Sequence, residues 1–146
     1  MKVNTKAYGE IEVEEKQKIS FPEGLFGFED YPDYVIIDAE QQPFYWLQSV
    51  ADKDIAFVLI NPFLFRKDYE VNLDNDEAGN IGIESPDKAL IFAIVTIPQD
   101  GSSMTANLQG PLVINLDNKT GKQVILSDAR WRTKHDILAE LKETGK

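Results

Sequence analysis

The sequence has no cysteine and a single histidine, His135, in 146 residues. The missing thiols exclude a cysteine nucleophile, a thiolate metal site and any disulfide framework. A lone histidine has no second imidazole with which to share a metal, and there is no Gly-x-Ser-x-Gly serine for it to activate. His135 lies between Lys134 and Asp136, outside the apolar segments, and reads as a tail residue without a catalytic role. Long hydrophobic runs are missing too. Ala89-Leu90-Ile91-Phe92-Ala93-Ile94-Val95 is the longest, far short of the ~20 residues a membrane-spanning helix needs. Met1-Lys2-Val3-Asn4-Thr5-Lys6 lack the apolar stretch and small-residue cleavage site of a secretory signal. These absences predict a cytoplasmic protein with no membrane segment. Glycine-rich phosphate loops are also absent, and no metal or cofactor is expected.

Basic residues are scarce in most of the chain. There are 25 acids against 15 bases, a net charge of −10. Residues 1–118 hold 8 Lys/Arg and 21 Asp/Glu, net −13, whereas residues 119–146 hold 7 and 4, net +3. An acidic body repels phosphate backbones, which disfavours direct nucleic-acid binding. The same field keeps a protein soluble, and it also attracts a basic protein surface.

What is abundant is short apolar runs. Runs rich in Val, Ile, Phe and Tyr recur at small intervals, separated by Gly, Pro, Asn and Asp. Strands are predicted over residues 3–7, 11–19, 34–38, 44–49, 55–60, 69–73, 104–108, 112–116 and 123–126. Residues 88–97 are apolar on both faces, as in a central strand covered from two sides. Helix signals are scarce: Leu25 to Tyr31 has room for one short turn, and Ile137, Leu138 and Leu141 at helical spacing predict a helix near residues 134–143 with Ser127 or Thr133 as its cap. The fold expected is all-β and mainly antiparallel: a small closed or nearly closed barrel of about ten short strands with a short C-terminal helix. Residues 1–127 form the barrel domain and residues 128–146 a basic, partly helical tail. A chain of this length buries roughly 68–70% of its unfolded surface without any staple.

Catalytic signals are weak. Paired-acid hydrolases need two carboxylates held in one cleft. Glu29-Asp30 and Glu84 are conceivable members, but nothing in the sequence selects a pair among 25 acids. A carboxylate-dependent hydrolase and a small-molecule-binding barrel therefore stand as the alternatives. Asp74-Asn75-Asp76-Glu77-Ala78-Gly79 resembles the start of a calcium loop, but Ala78 occupies a ligand position and Ser85 stands where the closing glutamate belongs. A binding surface remains. From Glu70 through Asp87 there are six acids and no base, just after Asn61-Pro62-Phe63-Leu64-Phe65. Aromatic anchors beside charges suit a protein–protein contact, so Phe63, Phe65, Asp74, Asp76, Glu77 and Glu84 are the candidate face. The alternative for Phe63 and Phe65 is the core.

Four blocks together resemble the flagellar assembly factor FliW family: Tyr8-Gly9-Glu10-Ile11, Phe21-Pro22-Glu23-Gly24-Leu25-Phe26-Gly27-Phe28-Glu29, Ile60-Asn61-Pro62-Phe63, and Thr105-Ala106-Asn107-Leu108-Gln109-Gly110-Pro111-Leu112-Val113-Ile114-Asn115. Phe26 departs from the pattern, standing where proline is expected. Asp136-Ile137-Leu138 replaces a proline-leucine ending. The resemblance implies a small β-barrel-like fold without enzymatic activity. It also implies two protein partners: CsrA, a basic dimeric RNA-binding repressor of flagellin translation that the family antagonises, and flagellin, held as by a chaperone. Asn107 is expected to turn its side chain onto backbone groups near the Gly110-Pro111 bend.

Overall fold

The computed structural model describes residues 1–71, 82–83, 88–100 and 103–144. Strand β1 (Lys2–Thr5) pairs antiparallel with β2 (Gly9–Glu12) as a separate hairpin. The larger sheet holds β3 (Lys18–Ser20), β4 (Asp33–Asp38), β5 (Tyr45–Ser49), β6 (Ala56–Ile60), β7 (Ala89–Thr96), β8 (Thr105–Asn115), β9 (Thr120–Gln123) and β10 (His135–Asp136). From β3 to β8 each strand pairs antiparallel with the next in sequence. β9 pairs antiparallel with β8 and, through Ser20 and Thr120, parallel with β3. β3–β9 thereby close into a seven-stranded barrel. β10 adds to the first residues of β8, and α1 (Ile137–Thr144) follows directly.

The alternation of side chains divides the core in three. Ile19, Tyr34, Leu47, Leu59, Phe92, Leu112 and Ile114 project from successive strands into the barrel, joined by Phe21 and Leu25 from the segment after β3. A Cβ at Gly121 of β9 would lie 2.5 Å from Phe21 Cε1, so the ring of Phe21 takes the space a side chain there would need. These residues occupy the interior, which counts against the small-molecule-binding alternative. Tyr34 is fully buried among them, and among the described residues its hydroxyl has no hydrogen-bond partner. Burial, reinforced by Tyr31, pushes its phenol up to about 12, so it stays neutral. Outside the barrel, the β1–β2 hairpin lays Val3 over Val35 of β4, with Val13 beside them. The opposite covering layer brings Phe65, Tyr69, Val124, Trp131 and Ile137 onto Ile60, Val95, Leu108 and Val113.

Local chemistry explains where the elements depart from expectation. Residues 11–19 are not one strand, because a 3₁₀ turn at Glu15–Gln17 separates β2 from β3. There the charged stretch satisfies its own backbone: Glu14 N donates to Gln17 Oε1 (2.9 Å) and Gln17 N to Glu14 O (3.0 Å). The last barrel strand begins at Thr120 rather than near 123. Asn115 Oδ1 accepts from Asp117 N (2.9 Å) and Asn118 Oδ1 from Thr120 N (3.0 Å), and Lys119 takes φ 57°, which tightens the turn. Tyr69–Val71 lie outside any strand, and the rest of the strand predicted over 69–73 lies outside the described residues. The helix cap is Asp136, whose Oδ1 accepts from Ala139 N at 2.9 Å, and not Ser127 or Thr133.

β8 is bent where its register against β7 shifts: Phe92 pairs with Leu112, whereas Ile94 pairs with Asn107. Asn107 Oδ1 holds the bend, accepting from Gln109 N (3.1 Å) and Gly110 N (2.8 Å). The bend is a junction, since Gln123 Nε2 donates to Gly110 O (3.0 Å) and Leu126 N to Gln109 O (2.8 Å). Asn107→Ala removes both Oδ1 bonds and leaves the Gly110 amide buried. A loss of about 1–3 kcal/mol is expected, read as a lower denaturation midpoint with an unchanged slope. A midpoint equal to wild type refutes this role.

Candidate protein-binding face

Pro62–Leu64 form a 3₁₀ turn, started by Pro62 and capped by Asn61 Oδ1, which accepts from Phe63 N at 3.0 Å. Side chains three apart eclipse in such a turn. Pro62 and Phe65 therefore share the inner side, whereas Phe63 and Leu64 point outward. Phe63 is 39% exposed and Leu64 45%. Phe65, predicted for the face, is a core residue with no exposed surface, packed in the cluster that includes Tyr69 and Trp131. The alternative reading holds for Phe65. Phe63 keeps an exposed ring, steadied against Tyr69 at 5.8 Å. Asp74, Asp76, Glu77 and Glu84 lie outside the described residues.

The segment leading from this turn toward the acidic stretch is tied down by one guanidinium. Arg66 donates through Nε and Nη2 to the two oxygens of Asp68 (2.9 and 2.8 Å) and through Nη1 to Glu140 Oε1 (2.7 Å). These bonds raise the pKa of Arg66 further and hold the Asp68 carboxyl below the usual carboxylate range. Tyr69 donates its hydroxyl to Leu108 O at 2.6 Å, and burial pushes its phenol upward. Phe63 and Leu64 thus stand on a fixed base.

That base depends on residues with little signal in the sequence. Trp131 is 2% exposed and meets Tyr69 edge-on at 4.8 Å. The guanidinium carbons of Arg66 and Arg130 each lie 4.8 Å from its ring centroid, within cation–π range. Arg130 is itself forked onto Asp128, whose carboxyl it holds low, and reaches Glu70 at 3.9 Å. The one available hint is the run Asp128-Ala129-Arg130-Trp131-Arg132, a large aromatic set among charges. His135, read as a tail residue outside the apolar segments, is instead a core residue, 1% exposed. Its Nε2 accepts from Arg132 N (2.8 Å), and its Nδ1 lies 2.8 Å from Glu140 Oε1. Accepting at Nε2 assigns the ring proton to Nδ1, which donates to the carboxylate. A histidine satisfied at both nitrogens can be buried without penalty.

Among the described residues nothing assembles the paired-acid alternative. Glu29 spends one oxygen on Gly27 N (2.7 Å), fixing its own loop, and Glu84 lies outside the described residues. Among the described residues no group of three His, Asp or Glu side chains converges as metal ligands would, and no helix is long and apolar enough to cross a membrane. What the arrangement offers is a rigid apolar pair beside charge, suited to contact with another macromolecule.

Known proteins match this chain nearly end to end. The family profile described as FliW protein matches residues 2–137. The flagellar assembly factor FliW of Treponema denticola is 49% identical over 146 residues, covering 100% of this chain and 99% of that protein. Its counterpart in Treponema pallidum is 48% identical over 143 residues, covering 98% and 95%. A crystal structure of the flagellar assembly factor FliW superposes with a TM-score of 0.86 at 37% identity, covering 94% of this chain and 96% of that one.

Proposed function

Since this chain belongs to the FliW family of flagellar assembly factors, we propose that it works in the cytoplasm, without catalysis, by exchanging two protein partners. One is CsrA, the basic RNA-binding repressor, whose capture relieves repression of flagellin mRNA. The other is flagellin, whose accumulation displaces the repressor and restores repression. The observation that carries this reading is the exposed Phe63-Leu64 pair at the entrance to a stretch with six acids and no base, Glu70 through Asp87. A surface that binds RNA phosphates is cationic, and an acidic face steers it in and competes with RNA for the same charge.

The test reverses the acidity of that stretch. Single exposed charge pairs contribute roughly 0.2–1 kcal/mol, so three are changed together: Asp74→Lys, Asp76→Lys and Glu77→Lys. Association of the triple variant with purified CsrA at low salt should slow by about tenfold or more, and its salt dependence should flatten. The melting temperature should stay within a degree or two of wild type. A folded triple variant that associates at the wild-type rate in low salt defeats the reading, and leaves the acidity to solubility.

A further inference from the structure

We propose that the exposed side of α1, with Leu138 and Leu141 beside Lys142 and with Arg132 and Lys134 in the segment leading into it, docks an acidic amphipathic helix of a partner protein. Along α1, Ile137 is buried and Glu140 is turned inward to Arg66 and His135. Leu138 and Leu141 each lie one position on from these, about 100° round a 3.6-residue helix and so off its most buried side. There Leu138 is 50% exposed and Leu141 39%, with Ala139 also exposed. The outward face of a surface helix is ordinarily polar. Two leucines stacked on consecutive turns instead form an apolar stripe, and the Arg66–Glu140 bridge ties the exposed Phe63-Leu64 turn to the same helix.

Charge names the occupant. Arg66 and Arg130 are already matched, to Asp68 with Glu140 and to Asp128 with Glu70. Arg132, Lys134 and Lys142 are exposed and make no ion pair among the described residues. Asp136 faces the helix amides as its cap. Lys142 lies one turn from Leu138 on α1, and Arg132 and Lys134 belong to the segment that leads into it, in a chain whose first 118 residues carry net −13. A helix with leucines at i, i+3 and i+7 and glutamates at their flanks fits both features. A two-fold contact with a second copy would set these cations against their own counterparts. An anionic lipid surface would meet the repulsion of the whole acidic body. This site goes beyond the repressor reading, because the partner it suits carries the opposite charge.

The test uses the full chain and a fluorescent synthetic helix of leucine and glutamate with that spacing, beside a scrambled peptide of identical composition. Fluorescence anisotropy should show micromolar binding to wild type that weakens as salt rises, and none to the scrambled peptide. Leu138→Ser with Leu141→Ser should weaken binding about tenfold or more. Lys134→Glu with Lys142→Glu should weaken it several-fold and flatten its salt dependence. Both pairs lie at exposed positions and should melt as wild type does, and both should still capture CsrA, so loss of this site is distinguishable from loss of the repressor reading. The proposal is overturned if wild type does not bind the peptide, if it binds the scramble equally, or if the leucine pair changes nothing. It is also overturned by leucine-dependent self-association in ultracentrifugation, which assigns the stripe to a second copy. Leucine-dependent sedimentation with phosphatidylglycerol vesicles overturns it in favour of lipid.

Discussion

Gly24→Ala is expected to lower the melting temperature by about 10 °C. Gly24 has φ +70°, and a Cβ there would stand 2.5 Å from Glu29 Cα and 2.8 Å from the carbonyl oxygens of Phe28 and Glu29. All three are backbone atoms, so no side chain can swing away. The left-handed conformation alone costs a non-glycine residue about 1–2 kcal/mol, and forcing apart a packed loop adds about 1–3 kcal/mol. For a domain of this size 1 kcal/mol corresponds to roughly 2–4 °C, and about 3 kcal/mol gives the stated shift. Gly9→Ala is the control. Its φ is +69°, but nothing lies within 4 Å of the added Cβ. The two variants share the backbone penalty and differ only in the collision. Equal melting temperatures would falsify the steric argument.

Trp131→Ala should cost about 4 kcal/mol, within the range for deleting a buried large aromatic. Beyond the cavity, the variant removes the ring against which Arg66 and Arg130 lie and the edge-on partner of Tyr69. Trp131→Phe keeps an apolar ring in place and should recover more than half of the loss. Trp46 remains as the other indole, so the intrinsic fluorescence lost on substitution reports Trp131 directly. Alanine and phenylalanine variants that both melt within a degree or two of wild type would show that residues 128–136 contribute little to stability.

These two positions also show what a sequence discloses. The central strand predicted over 88–97 is observed as β7, because a run apolar on both faces has no other place to be. Tyr34–Asp38 and Ile55–Ile60 were legible from β-branched and aromatic density, and they appear as most of β4 and β6. Asn107 was legible through chemistry, as an asparagine two residues before a glutamine–glycine–proline bend. The candidate face was half legible. An aromatic run after a proline announces itself, but the choice between Phe63 and Phe65 depends on a 3₁₀ turn, whose period of three separates neighbours that alternation would have paired. Trp131 and His135 were hidden for a different reason. Each is surrounded in sequence by charges, and each is buried because its ring finds partners outside that run, Tyr69 and Arg66 packed on the indole and Glu140 bonded to the imidazole. Pairing between distant residues leaves no trace in a local pattern.

The seam of the barrel has a consequence for how the chain comes into being. β3 meets β9 through Ser20 and Thr120, a parallel contact between segments far apart in sequence. A growing polypeptide can lay down the antiparallel meander from β3 to β7 as it emerges, since each pairing there is with the preceding strand. It cannot complete the ring until Thr120 has left the ribosome, and until then β3 presents an unpaired edge. Closing so long a loop also delays the contact that completes the barrel, as high contact order slows folding generally. An assembly factor built this way is open along one side throughout most of its own synthesis, and β9, the last strand of the barrel, is what closes it.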